Sequence, residues 1–178
     1  MLKIKKTNLD KVIVITPPTI FKDLRGEYIE TYNKKIYINS GIKLNFIQDD
    51  FSISKKNVLR GIHGDNKTWK LISCLHGKFL LIVVNNDKNS KKYKKHFSIV
   101  LSEKNKLQVL VPPKHGNGHL VLSDKAIFHY KQTTEYDRKS QFTIMWNDKD
   151  YNFKWPIKKP ILSKRDSLMP TFDETFKI

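Results

Sequence analysis

Lys78-Phe79-Leu80-Leu81-Ile82-Val83-Val84 decides the fold class. From Phe79 onward both alternating faces are apolar, the pattern of a central strand covered from two sides. Similar runs rich in Val, Ile, Phe and Tyr recur on either side of it, with polar breaks between. Before it come Val12 to Thr16, Glu27 to Tyr32, Asn45 to Ser54, Asn57 to Ile62 and Trp69 to Leu75. After it come His96 to Leu101, Leu107 to Val111, His119 to Leu122, Ala126 to Thr133 and Phe142 to Trp146. Many short strands at close spacing predict an all-β sandwich or barrel. Helical periodicity is confined to Lys34 to Asn39, and the stretch after Trp155 is too rich in Pro and Lys for a long helix, so only short peripheral helices are expected. No internal repeat or Gly/Ser linker divides the chain, and its 178 residues suit one domain spanning 1–178.

Hydrophobic residues make up 39% and aromatic residues 11%, a globular composition. The formal net charge of +17 raises the question of a polyanionic partner. Arginine, which forks onto phosphate and guanine, occurs only at Arg25, Arg60, Arg138 and Arg165, and every other basic residue is lysine. Lys3, Lys5 and Lys6 read as an amino-terminal tail, and Lys91, Lys92, Lys94 and Lys95 as a loop between strands. Solvated lysines are expected rather than a nucleic-acid footprint, and a phosphorylated small molecule is compatible with both. The single cysteine, Cys74, has no partner for a disulfide, which suits a reducing cytoplasm. Neither a secretory signal nor an apolar run approaching the ~20 residues of a membrane span is visible, so a soluble protein is expected.

His63 ends a strand, Val58-Leu59-Arg60-Gly61-Ile62, that contains an arginine and a glycine. A glycine in a strand marks a bulge or a close backbone approach, and an arginine there is costly unless it meets an anion. Strand alternation places Arg60 and His63 on opposite faces, so both reach one pocket only if the chain bends at Gly61. His115 and His119, in Pro112-Pro113-Lys114-His115-Gly116-Asn117-Gly118-His119, would with His63 make a three-histidine metal site of the sort jelly rolls host. Against that reading, Gly64-Asp65-Asn66 supplies no second histidine after His63, so no metal is expected. Period two puts Ala126, Phe128 and Tyr130 on one strand face, and Lys70 with Ile72 and Cys74 on another. A half-buried tyrosine and a snorkelling lysine are the ordinary readings of such positions; a lysine held inside would supply positive charge where an enolate forms.

Several motifs fall in one order. Phe21-Lys22-Asp23-Leu24-Arg25-Gly26-Glu27, Phe46-Ile47-Gln48-Asp49-Asp50-Phe51-Ser52 and Asn57-Val58-Leu59-Arg60-Gly61-Ile62-His63 are followed by Leu101-Ser102, Val111-Pro112 and Tyr130-Lys131 with Tyr136. Trp146-Asn147-Asp148, Trp155-Pro156 and Leu162-Ser163-Lys164-Arg165-Asp166 with Pro170 complete the series. In this collinear order, from about residue 12 to 170, the chain resembles the dTDP-4-dehydrorhamnose 3,5-epimerase family. The resemblance implies a double-stranded β-helix of the cupin-like, jelly-roll type. It also implies a homodimer with a shared active site and a reaction that needs neither metal nor cofactor.

The implied substrate is a nucleotide-linked 4-keto sugar, deprotonated at carbons flanking the ketone. His63 would be the base, oriented by Asp166, with Tyr130 the acid on the opposite face of the ring and Lys70 steadying the enolate oxygen. Arg60 would bind sugar or phosphate oxygens, Gln48 and Asp50 would line the pocket, and Asn117 and His119 would also touch substrate. Arg25 and Glu30 match positions that in the family reach the nucleotide from the neighbouring subunit. Two departures stand out: Gly116-Asn117-Gly118 where the family carries Ala-His-Gly, and a short connection from Gly64 to Lys70. Both resemble a subgroup acting on GDP-linked 4-keto-heptoses in capsule synthesis, so such a substrate is expected, with dTDP-4-keto-6-deoxyglucose as the alternative. Inversion at C3 alone or at C3 and C5, a 3,4-ketoisomerase, and a non-catalytic binder on the same fold all stay open.

Overall fold

The computed structural model describes residues 2–17 and 19–168; Pro170, the last motif residue above, lies outside them. Thirteen strands run in chain order: β1 (Lys3–Lys6), β2 (Ile13–Thr16), β3 (Thr19–Asp23), β4 (Gly26–Glu30), β5 (Gln48–Lys55), β6 (Leu59–Gly64), β7 (Lys70–His76), β8 (Lys78–Asn85), β9 (His96–Ser102), β10 (Gln108–Val111), β11 (His115–Val121), β12 (Lys125–Gln132) and β13 (Phe142–Thr143). Among the described residues two short α-helices accompany them, α1 (Lys34–Asn39) and α2 (Lys164–Ser167), with one 3-10 turn at Arg138–Ser140. One sheet has the order β1-β2-β10-β7-β12-β5 and the facing sheet β13-β6-β11-β8-β9, with β3 and β4 pairing as a separate hairpin. Every pairing between named strands is antiparallel, in the crossed-over order of a jelly roll. No helix among the described residues is long and apolar enough to cross a membrane.

Strand β8 explains why the sequence is apolar on two faces. Phe79, Leu81 and Val83 point between the sheets and pack with Ile72, Cys74, Val109, Val111, Ala126 and Phe128. Ile82 and Val84 point outward, under a cover of Ile144, Tyr151 and Phe153 from the later chain. The other sheet is capped in the same way, since Ile15, Leu71 and Leu110 lie beneath Tyr37 of α1 and Ile42. Asn33 caps α1 through its side-chain oxygen, which accepts from Ile36 N, and the buried Tyr37 hydroxyl donates to Gln108. Each sheet is thus buried on both faces near its centre, which favours the β-branched residues found there.

The structure departs from the sequence expectations at the edges. Lys3, Lys5 and Lys6 belong to the edge strand β1 and not to a tail; lysines on an edge strand deter further pairing, and their charge masks the strand in the sequence. Strand β3 pairs only with β4 and stays exposed, so burial leaves no periodic trace in it. Strand β11 begins at His115, four residues before the expected start, because Gly116-Asn117-Gly118 reads as a turn yet pairs with both β6 and β8.

Gly61 does what the strand pattern demands of it. Its φ is +115°, and the β6–β11 register shifts between Asn117 and His119, which is a β-bulge. A Cβ at Gly61 would meet Gly118 Cα at 2.5 Å and the Asn117 carbonyl oxygen at 2.7 Å. Gly61→Ala should therefore cost roughly 2–5 kcal/mol, strain and overpacking together, in urea denaturation. Gly26, at φ +122° with nothing within 4 Å of a Cβ, is the control, and its replacement by Ala should cost only about 1–2 kcal/mol of strain.

Candidate active site

A cavity of about 430 Å³ opens between the two sheets. Strands β6 and β11 contribute Arg60, His63, Asn117 and His119 from one sheet, while β5, β7 and β12 contribute Asp50, Ser52, Lys70, Phe128 and Tyr130 from the other. The bulge at Gly61 brings Arg60 and His63 to the same cavity, so the bend expected from their spacing is present.

His63 Nε2 lies 3.0 Å from Asp166 Oδ1. Asp166 is buried on α2, whose Ser163 cap accepts from the Asp166 N–H at 3.0 Å, so the helix start fixes the carboxylate. A carboxylate facing Nε2 holds the tautomer protonated there and leaves the Nδ1 lone pair as the basic site. Burial pushes the His63 pKa below the ordinary histidine value; Asp166 opposes the shift, and nearby Arg165 and Lys70 add to it. The imidazole therefore waits neutral, in the form a base requires.

Tyr130 lies on the facing sheet. Burial and then the Asp50 carboxylate push its pKa up to about 12, which keeps the phenol protonated and able to donate. The Lys70 ammonium sits 5.8 Å from the centre of the Tyr130 ring, and burial lowers its pKa. His119 is wholly enclosed, stacks on Phe128 with ring centres 4.1 Å apart, and has its pKa lowered to about 3 by burial, so it acts as a neutral group. Its Nε2 and the Asn117 Oδ1 are buried polar atoms with no hydrogen-bond partner among the described residues, and both residues line the cavity.

Other expected residues fall outside the cavity wall. Gln48 supports it instead: its Nε2 donates to Asp50 Oδ2 at 2.8 Å and its Oε1 accepts from Tyr136 N at 2.7 Å. Arg25 is exposed at the tip of the β3–β4 hairpin and paired with Asp23, while Glu30 accepts from Thr19 and Asn33. Neither reaches the cavity within one chain. His115 is also absent from the wall; its Nδ1 lies 3.0 Å from the Pro113 carbonyl, and no group of three or more potential metal ligands exists among the described residues.

The wall also holds Tyr136, Arg138, Gln141 and Arg165, to which sequence reasoning assigned no role. The signal was available, because arginine is rare in this lysine-rich chain and three of its four arginines, Arg60, Arg138 and Arg165, converge here. None of the three forms an ion pair among the described residues; Arg60 donates to Ser54 and Arg165 to Gln141. Guanidinium groups gathered without carboxylate partners make an anion site.

The sequence profile of dTDP-4-dehydrorhamnose 3,5-epimerase matches residues 6–174. The chain belongs to the dTDP-4-dehydrorhamnose 3,5-epimerase family. The Shigella flexneri enzyme of that name is 35% identical over 169 residues, 93% of each chain, and the Salmonella typhimurium one 36% identical over 98% of this chain and 97% of its own. Among solved structures, the dTDP-6-deoxy-D-glucose-3,5-epimerase of Legionella pneumophila, in complex with dTDP-4-keto-L-rhamnose, superposes with a TM-score of 0.91 at 33% identity over 97% of this chain and 94% of that one. The Bacillus anthracis dTDP-4-dehydrorhamnose 3,5-epimerase, with TDP and PPi bound, gives a TM-score of 0.91 at 31% identity over 96% and 99%. The fold is therefore the expected cupin-like jelly roll, and the chain is an isomerase acting on sugar nucleotides. The expected GDP-linked heptose is not supported by these epimerases, whose names refer to dTDP sugars, and the alternative, a dTDP-linked hexose, fits them better.

Proposed function

We propose that this epimerase inverts C3 and C5 of dTDP-4-keto-6-deoxyglucose by metal-independent proton abstraction and reprotonation through an enolate. The observation that carries the reading is the placement of His63 and Tyr130 on opposite sheets across one cavity. A carbon acid beside a ketone needs a positioned base, an acid on the other face of the ring and positive charge near the developing oxyanion. His63 Nδ1 removes the proton, and the resulting imidazolium is stabilised by Asp166. Tyr130 returns a proton from the facing sheet, and the Lys70 ammonium balances the enolate oxygen. Arg60, Arg138 and Arg165 supply the charge that a sugar-linked diphosphate requires.

The partner in this reading is a second copy of the chain, with the active site shared. Phe21, Leu24 and Tyr28 stand exposed on the β3–β4 hairpin, which pairs with neither main sheet, and Phe51 and Ile53 are exposed on β5. Apolar surface of this kind calls for a cover. A neighbour placed over it would bring Arg25 and Glu30 toward the nucleotide.

A second reading, C3 inversion of a GDP-linked 4-keto-heptose, is favoured by Asn117. It pairs with His63 across β6 and β11 at a position where the family carries a histidine. Turnover of the two donors side by side, with a chelator present throughout, separates the readings. A kcat/KM for the dTDP-linked hexose at least about tenfold above that for the GDP-linked heptose is expected, a difference of about 1.4 kcal/mol in transition-state binding. The reverse preference would overturn the substrate assignment, and activity lost to the chelator would overturn the metal-free mechanism.

A further inference from the structure

Two polar residues of β11 stand on the inner face of their sheet among apolar ones. The pairing of β11 with β8 is regular, and it sets Asn117 beside Val83 and His119 beside Leu81, both of which point between the sheets. Gly116 and Gly118 face the other way, where a Cβ on either would meet the Ile62 side chain at 2.6 or 3.0 Å. Across the β6 pairing, Asn117 is in register with His63 and His119 with Arg60. Asn117 therefore lines the cavity beside the base, and His119 follows it on the same face.

Packing alone does not explain the pair. The His119 ring stacks on Phe128 and tilts against Phe79, with centres 4.1 and 5.2 Å away, a setting that an apolar ring would suit. The imidazole instead carries a buried Nε2 and Asn117 a buried Oδ1, and neither atom has a hydrogen-bond partner among the described residues. Buried polar atoms left unpaired are destabilising, so both atoms call for a partner that enters the cavity.

Their chemistry selects that partner. Asn117 Oδ1 only accepts, so its partner must carry a hydrogen. A ketone oxygen or a methyl group offers none. A hydroxyl donates to Oδ1 and at the same time accepts from the N–H of a neutral His119. Of the two carbons that flank the C4 ketone, C3 carries a hydroxyl, while C5 carries the ring oxygen and a methyl group. We propose that Asn117 and His119 together bind the C3 hydroxyl of the sugar and so hold the C3 proton toward His63, which makes them specificity-determining residues for a 3-hydroxy substrate. The proposal rests on the reading of dTDP-4-keto-6-deoxyglucose as the substrate.

The test pairs each side chain with the hydroxyl. Wild type, Asn117→Ala and His119→Phe are each given dTDP-4-keto-6-deoxyglucose and its 3-deoxy and 2-deoxy analogues in deuterated water, and kcat/KM for deuterium entry at C3 is measured. Intrinsic differences in acidity between the sugars cancel when the deficit of an analogue is compared across the three proteins. The 3-deoxy deficit should be about tenfold smaller in either variant than in wild type, since each variant has already lost one hydrogen bond to the hydroxyl. The 2-deoxy deficit should be the same in all three. His119→Phe keeps the stacking and removes an unpaired buried atom, so its melting temperature should equal or exceed that of wild type, which separates lost recognition from lost fold. Asn117→Ala, at the cavity wall, tests the pair independently. A 3-deoxy deficit equal in all three proteins overturns the proposal, as does a change confined to the 2-deoxy analogue, which would move the contact to the neighbouring carbon. No exchange by wild type with the parent sugar overturns the functional reading itself, and the proposal with it.

Discussion

His63→Ala should lose about 10³- to 10⁴-fold in kcat with the fold kept, the size of effect a positioned general base supplies. No other side chain on the cavity wall can take over. His119 is enclosed and held neutral with a pKa near 3, which makes it a far weaker base than an ordinary imidazole. Asp50 is engaged by Gln48 and stands on the Tyr130 side. The substitution leaves Asp166 buried without its imidazole partner, so part of any loss could reflect local loosening of α2. His63→Gln, which can still donate to that carboxylate, controls for this and should be as inactive as the alanine variant. Circular dichroism and melting temperature near wild type, combined with kcat within tenfold of wild type in either variant, would contradict the assignment.

Tyr130→Phe separates the two halves of the reaction. The ring and its packing against Phe128 survive, and only the hydroxyl is lost. Proton removal by His63 does not need that hydroxyl, so deuterium from solvent should still enter the substrate. Reprotonation from the facing sheet does need it, and inversion should fall about 10²- to 10³-fold. Exchange without inversion is the signature, read by following isotope content and configuration in the same sample. Equal loss of both would place Tyr130 on the path of the first proton transfer and reverse its assigned role.

The interior of the fold was legible in the sequence wherever burial leaves a periodic trace. Phe79 to Val84 is apolar on two faces because both faces are covered, one by the sandwich core and one by Ile144, Tyr151 and Phe153. Strands β1 and β3 are exposed at nearly every position, so no hydrophobic alternation marks them. The bend at Gly61 could be inferred from the opposite faces of Arg60 and His63, and a bulge or close approach from the glycine itself, but its partner, Gly118, could not, because residue spacing says nothing about which backbone approaches.

Within the site, His63, Lys70, Tyr130 and Asp166 have individually ordinary structural readings, and only the order of motifs joined them. The structure supplies the physical link that order lacked: a cap at Ser163 that positions Asp166, and two sheets that set His63 and Tyr130 across one cavity. Arg138 and Arg165 were counted among the four arginines yet given no place in the site, because a count by type does not say which residues distant in sequence converge. Gln48 was placed in the wall by the resemblance; it shares a strand face with Asp50, two residues on, but its amide is engaged in bracing Asp50 and the Tyr136 backbone.

The most direct test is proton NMR of dTDP-4-keto-6-deoxyglucose incubated with the enzyme in deuterated water. Deuterium entering at both C3 and C5, with inversion at each and no added metal, is the predicted result; an inverted product that retains its original protons, or no exchange with any 4-keto sugar nucleotide, would contradict proton abstraction by His63 as the centre of this enzyme's chemistry.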